Sequence, residues 1–246
     1  MHDSHIHIGQ FYDIYTSPKE AVTFLDRVSI EKFAVSSTTI CEADYTKVLS
    51  EITEITHLAP NRALPVLWIV PQMLIDGGLE IFLDSKIAWR CLKIHPQLHP
   101  TSWQYNDKNL QKVLEIAKQM HLPLLIHTGE SEGCYPSLFE TAIAENQDVK
   151  FILAHGRPIN ETISLLKKYP NAYCDTAFMP APNIVKLCKE QLAHRVLFGS
   201  DYPIMKKFSP EKSIETLYLN NVKEIQTLLS STEFKKITCQ NFESLL

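Results

Sequence analysis

At 246 residues and 45% hydrophobic, the sequence can bury a large core, and its length suits either one α/β barrel or two small domains. A net charge of -4, with Lys and Arg scattered rather than clustered, argues against a nucleic-acid or membrane-surface binder. It leaves a small molecule as the expected partner, with a homodimer open. Cys41, Cys91, Cys134, Cys174, Cys188 and Cys239 form no Cys-x-x-Cys pair, no signal-peptide pattern precedes the first strand, and no apolar run approaches the ~20 residues of a membrane span. A protein of the reducing cytoplasm is the expectation.

The chain opens on Asp3-Ser4-His5-Ile6-His7-Ile8-Gly9, where charged and imidazole residues fall at every second position. As a β-strand this places Asp3, His5 and His7 on one face, and two imidazoles one pleat apart can grip one divalent metal. Alone, the pair also fits surface histidines on an edge strand. Ser17-Pro18-Lys19-Glu20 starts a helix running into Ala21 to Val28, followed by a strand over Phe33 to Thr38. Tyr45 to Thr56 has helical spacing (Val48, Ile52, Ile55), and Pro65 to Val70 is an apolar run of strand length, as in parallel sheets buried on both faces. A short helix near Leu79 to Ser85 leads to a strand over Arg90 to Pro96. Asp107 then reads as the cap of a helix whose stripe is Leu110, Val113, Leu114 and Ala117.

The second half repeats this rhythm. Strands are expected over Leu122 to His127, Lys150 to His155, Ala172 to Thr176 and Arg195 to Ser200. Helices are expected over Pro136 to Ala144, Ile159 to Tyr169, Asn183 to Leu192 and Lys212 to Leu229. Eight strands alternating with helices at about the thirty-residue βα period point to a parallel sheet in its closed form, the (β/α)8 or TIM barrel, over 1–246 as a single domain. A doubly wound open sheet is the alternative. The tail, Phe234 to Leu246, is expected as extra C-terminal helix packed outside or beneath the barrel.

In a barrel the site lies where the strands' C-terminal ends meet. Strand one offers His5 and His7 there, strand four Lys93 and His95, strand five His127, strand six His155, strand seven Asp175 and strand eight Asp201. Singly, each fits a satisfied core histidine or a helix-capping aspartate. Together they place metal-ligand types at one end of six strands, while His2, His57, His121 and His194 fall elsewhere. Gly9, Gly129, Gly156 and Gly199 flank the same ends.

His5-Ile6-His7, Leu92-Lys93-Ile94-His95-Pro96, Pro123 to Gly129, Ile152 to Gly156 and Leu197 to Pro203 are similar, in order and spacing, to the amidohydrolase superfamily. The resemblance is to the amidohydrolase-related branch, which includes metal-dependent hydrolases and aminocarboxymuconate-semialdehyde decarboxylase-like enzymes, and it covers nearly the whole chain. It implies that His5, His7, His127 and Asp201 hold a divalent metal, most often zinc, and that His155 ligates a second metal or polarises the substrate. The compact loops depart from many relatives and leave the substrate undefined. Lys93 stands where TatD-like nucleases, which share the His-x-His, look to carry a Glu.

On this reading a metal-activated water attacks the carbonyl of a small ester, lactone or amide, with Asp201 as ligand and general base and His155 bonded to the oxyanion. Non-oxidative decarboxylation is the alternative reaction, and a non-catalytic metal-binding protein the alternative class. Lys93 is expected either as a carbamylated bridge between two metals or as an amine paired with Asp175 or with substrate. His95 and Arg157 are candidates for binding a substrate carboxylate. Trp103, Tyr105 and Tyr135 are candidates for the pocket wall, and Asp3 for orienting His5.

Overall fold

The computed structural model describes residues 1–98, 103 and 108–246. The expected cap Asp107 and wall residue Tyr105 lie outside them. The strands are β1 (His2–Phe11), β2 (Ile14–Thr16), β3 (Lys32–Ser37), β4 (Ala63–Trp68), β5 (Cys91–Ile94), β6 (Leu124–His127), β7 (Phe151–Ala154), β8 (Ala172–Asp175) and β9 (Val196–Leu197). They form one sheet in the order β2-β1-β3-β4-β5-β6-β7-β8-β9, parallel throughout except for the antiparallel β1–β2 hairpin. The sheet closes on itself. Ser4 N–H donates to Phe198 O at 2.8 Å, Asp201 N–H to His5 O at 2.8 Å, and His7 N–H to Tyr202 O at 2.6 Å, with a parallel bridge between Ile6 and Tyr202. Eight parallel strands thus make the expected TIM barrel, and β2 is a short arm on its rim.

Local chemistry accounts for the helices between the strands. Ser17 caps the helix Pro18–Arg27 in a reciprocal box with Glu20, and Pro18 takes the first turn, where its missing N–H has no intrahelical partner to lose. Asp44 caps Tyr45–Leu58, and Ser213 caps Ile214–Leu228. In Lys108–Met120 the stripe Leu110, Val113, Leu114 and Ala117 is buried against the sheet, as the spacing predicts.

The period of two along the strands divides the barrel interior into layers. Ala34, Val66, Cys91, Leu125, Ile152 and Leu197 pack together low in the barrel. Phe242, 2% exposed, closes this layer from below with Leu245 and Leu246. The terminal turns that carry it are pinned by Asn241, whose Nδ2 donates to Ala193 O and Val196 O. Two residues further along the same strands stand Ser36, Trp68, Lys93, His127 and Gly199, so the apolar layer is the floor of the polar one.

One strand breaks its alternation. Between Asp3 and Ile6 the β1–β3 register shifts, β1 carrying one extra residue. Such a bulge reverses the side-chain phase across it. Asp3 therefore does not share the face of His5 and His7. Its carboxylate accepts from Tyr218 Oη at 2.8 Å, on the outer helix, and from the backbone N–H of His5 and Ser200, both at 3.1 Å. Burial pushes its carboxyl up to about 6 despite these bonds. Asp3 positions the backbone of His5, and the imidazole is oriented by another acid.

Candidate active site

That acid is Asp175, at the end of β8 and fully buried. Its Oδ2 lies 2.9 Å from His5 Nδ1, and its Oδ1 accepts from the backbone N–H of His155 at 2.8 Å and of Ala177 at 3.0 Å. Burial raises an acid's pKa, but the His5 ring and these bonds outweigh it and hold Asp175 below the carboxylate range. Gly199 makes the pair fit: a Cβ there would meet His5 Cβ at 3.0 Å and Asp175 Cγ at 3.2 Å. Ser36 Oγ, at 3.0 Å, similarly holds Nδ1 of His7.

Asp175 and Lys93 assign the tautomers. Asp175 only accepts, so His5 carries its proton on Nδ1; Lys93 Nζ only donates and lies 3.1 Å from His7 Nε2, so His7 carries its proton on Nδ1 beside Ser36, and both rings present their Nε2 lone pairs to the barrel axis. The two Nε2 atoms are 3.2 Å apart, and Asp201 Oδ1 lies 3.3 Å from that of His5 and 3.0 Å from that of His7. Three lone pairs converging in this way repel unless a cation lies among them. Their spacing is close to the ~3.3 Å edge of a tetrahedron with 2.0–2.1 Å metal–ligand bonds, so the donor set fits a divalent ion. Lys93 Nζ occupies the same region, 2.9 Å from His5 Nε2, 3.1 Å from His7 Nε2 and 4.4 Å above the Trp68 ring. Burial lowers its pKa to about 8, and the charges of Asp201 and Asp175 only partly restore it. The amine thus meets the two imidazoles, and the carboxylate expected to pair with it, Asp175, is bonded to His5.

Burial also keeps two of the imidazoles neutral, lowering His7 to about 3 and His155 to about 4, with the Lys93 charge adding to the effect at His7. At Asp201 burial acts upward, but the imidazoles of His5 and His7 overcome it and hold the carboxyl well below its usual value. His155 and Asp201 have φ of 68° and 58°, a left-handed conformation that costs a non-glycine residue of order 1–3 kcal/mol and collects at functional sites.

The remaining candidates ring the mouth. His127 is not in the His5–His7–Asp201 triangle. Its Nδ1 is 2.9 Å from His155 Nε2, and its ring stacks on His95 at 3.8 Å. His155 Nδ1 lies 3.0 Å from Ala177 O, so both nitrogens of His155 are engaged. With its own Nδ1–H donated to Ala177 O, His155 accepts the Nδ1–H of His127, which leaves the lone pair of that ring on Nε2. A second group, His5 with His155 and Asp175, also brings ligand atoms together, but there the His5–Asp175 contact is the hydrogen bond just described. His95 Nδ1 accepts from the backbone N–H of Gln97 and Leu98, which puts its proton on Nε2. Arg157 is half-buried, 3.8 Å from Glu130.

A cavity of about 360 Å³ is lined by His7, Lys93, His95, His127, His155, Arg157 and Asp201 together with Phe11, Trp68, Phe178 and Phe208, with His5 and Asp175 behind it. Trp103 and Tyr135 are not among its walls. Phe11, Phe178 and Phe208 carry no local signal that sets them apart from ordinary loop packing. Trp68 sits inside an apolar run and Ser36 opens a run of hydroxyl residues, so neither stands out in the sequence, although each lies two residues beyond a floor position on its strand.

A model of the amidohydrolase family matches residues 84–241, more than half of the chain. The chain belongs to the amidohydrolase family. It is an enzyme of that superfamily, with His and Asp groups able to hold the divalent metal its members typically bind. No curated protein matches it by sequence. Among solved structures it is similar to an uncharacterised TIM-barrel protein from Bordetella bronchiseptica, at 15% identity, TM-score 0.73 and coverage of 100% of this chain and 98% of that one. A probable 2-pyrone-4,6-dicarboxylic acid hydrolase from Acinetobacter baumannii with citric acid bound is 11% identical, with TM-score 0.69 and coverage of 99% and 98%. A 2,6-dihydroxybenzoate decarboxylase from Rhizobium is 13% identical, with TM-score 0.68 and coverage of 99% and 97%. At these identities the likeness is one of fold. Among the described residues no helix is long and apolar enough to cross a membrane.

Proposed function

We propose that this amidohydrolase is a metal-dependent hydrolase of a small, carboxylated cyclic ester, lactone or amide. The observation that carries the reading is the approach of Asp201 Oδ1 to within 3.0 and 3.3 Å of two inward Nε2 atoms at the base of the cavity. His5, His7 and Asp201 would hold the ion, with zinc favoured by the nitrogen and oxygen donors, and His127, whose Nε2 carries the lone pair, would be the further donor. When bound, such an ion polarises a carbonyl and lowers the pKa of water to about 7.

The chain's own groups supply the rest. Asp201, held ionised, accepts the proton of the attacking water and passes it to the leaving group. His95 Nε2–H and Arg157 face the same space and supply hydrogen bonds to carboxylate or developing oxyanion, Arg157 through its two-pronged fork. Lys93 adds positive charge beside them. Trp68 and Phe178 suit a planar ring. The same cavity supports a second reading, non-oxidative decarboxylation, because Trp68 and Phe178 would hold an aromatic ring while Lys93 and Arg157 stabilise the charge left as CO2 departs.

A screen of zinc-loaded protein over esters, lactones, amides and aromatic carboxylates, with CO2 measured alongside, tests both. Turnover without CO2 and its loss by about 10³-fold or more in Asp201→Asn is the expected result. CO2 release would replace the first reading with the second. A folded, metal-loaded protein with no turnover on any class, or an undiminished Asp201→Asn variant, would overturn both.

A further inference from the structure

Away from the cavity, beneath the barrel, three metal-ligating side chains meet that none of the chemistry above uses. They are His2 at the start of β1, Glu31 just before β3, and Cys239 in the π-helical turn Lys236–Gln240. One ligand atom from each lies within 4.8 Å of the others. His2 is 2% exposed, and its Nδ1 has no hydrogen-bond partner among the described residues. That atom faces Glu31 Oε2 at 3.8 Å. The ring's other nitrogen lies 3.2 Å from Glu243 Oε1, and its face rests on Phe242 at 5.1 Å between centroids.

An imidazole that donates Nε2–H to a carboxylate carries its lone pair on Nδ1 and is fixed in orientation, which is how carboxylates prepare histidines for metals. A buried acceptor left unmatched is unfavourable, and an ion would match it. We propose that His2, Glu31 and Cys239 form a second divalent-cation site, for an ion of the zinc class. One nitrogen, one oxygen and one sulfur suit a borderline-soft ion and do not suit Mg²⁺ or Ca²⁺, which take oxygen. On binding, the thiol proton leaves to solvent, and the thiolate and carboxylate together neutralise the ion. Glu31 is exposed, its Oε2 also 3.8 Å from the Met1 amine, and Cys239 is half-buried, so both have room to close the remaining distance onto the fixed imidazole. The ion would join the first strand, the segment before β3 and the turns that seal the barrel floor.

The test is a Co²⁺ titration of the chelator-treated full chain. The imidazole and carboxylate set of the cavity holds no sulfur, so a thiolate-to-cobalt charge-transfer band in the near ultraviolet reports this site alone. The band is expected to saturate by two equivalents, one for the cavity and one for this site, to vanish in Cys239→Ser, and to need at least tenfold more cobalt in Glu31→Gln, whose exposed side chain leaves folding intact. Zinc should raise the melting temperature of the parent chain more than that of Cys239→Ser. Absence of the band, a band surviving in Cys239→Ser, or unchanged affinity in Glu31→Gln would overturn the proposal.

Discussion

Two carboxylates are buried near the open ends of the first strands, and their partners differ. Glu51, 4% exposed on the helix Tyr45–Leu58, accepts from Ser37 Oγ at 2.6 Å and from Thr39 Oγ1 at 2.9 and 3.1 Å. Asp175 accepts from an imidazole and two backbone N–H groups. Hydroxyl donors end their influence where they are attached, so Glu51 fastens the β1 and β3 ends to the helix behind them. An imidazole transmits its partner's charge to its far nitrogen, so Asp175 strengthens a lone pair pointing into the cavity. On the proposed function, equal burial therefore gives one acid a structural task and the other a chemical one.

Four measurements would break or sharpen that contrast. The largest effect is expected on the cavity side, from acid. His7 and His155 stay neutral in the folded protein down to about 3 and 4, whereas the unfolded chain takes up protons below the ordinary imidazole value of 6.5. Their contribution to stability is thus complete above pH 6.5 and lost as pH falls toward 4. The melting temperature of metal-free protein should drop steeply over that window, and a flat profile would contradict the buried neutral rings.

Gly9 probes the other side. Its φ is +85°, and a Cβ would come within 2.4 Å of Thr39 Oγ1 and 2.7 Å of both Glu51 Oε2 and Ser37 Oγ. Gly9→Ala should cost about 2–4 kcal/mol in denaturant unfolding, from backbone strain and overpacking together. The isosteric pair then separates the two roles. Asp175→Asn should weaken zinc binding by about 10–100-fold in calorimetry. Glu51→Gln should lower stability by only about 1 kcal/mol and leave zinc affinity unchanged. Equal effects of both on metal affinity would erase the distinction.

Much of this arrangement is legible in the sequence because parallel barrel strands are apolar until they reach the mouth. Leu124-Leu125-Ile126-His127 and Phe151 to His155 announce both the strand and the place where it ends. The bulge in β1 is not legible: Asp3, His5 and His7 alternate perfectly in the sequence, and only the pairing with β3 shows the phase reversing after Asp3. Strand β9 is two residues long where six were expected, because Phe198 to Tyr202 leaves the ladder to bond the backbone of β1 and the C-terminal turn at Ile237. Whether Lys93 meets Asp175 or the two histidines depends on distances across the barrel, which no local pattern encodes.

Phe242 has a consequence for the order in which the molecule is made. The floor it seals is assembled from β3, β4, β5, β6, β7 and β9, all synthesised before it. The neighbouring bond between His2 and Glu243 spans 241 residues. Contacts so distant along the chain form slowly, since a large loop must close before any of them is gained. During synthesis the interior layer of Val66, Leu125 and Ile152 therefore waits uncovered until the final helical turns emerge. A nascent chain halted before Phe242 would expose apolar surface of the kind that chaperones bind.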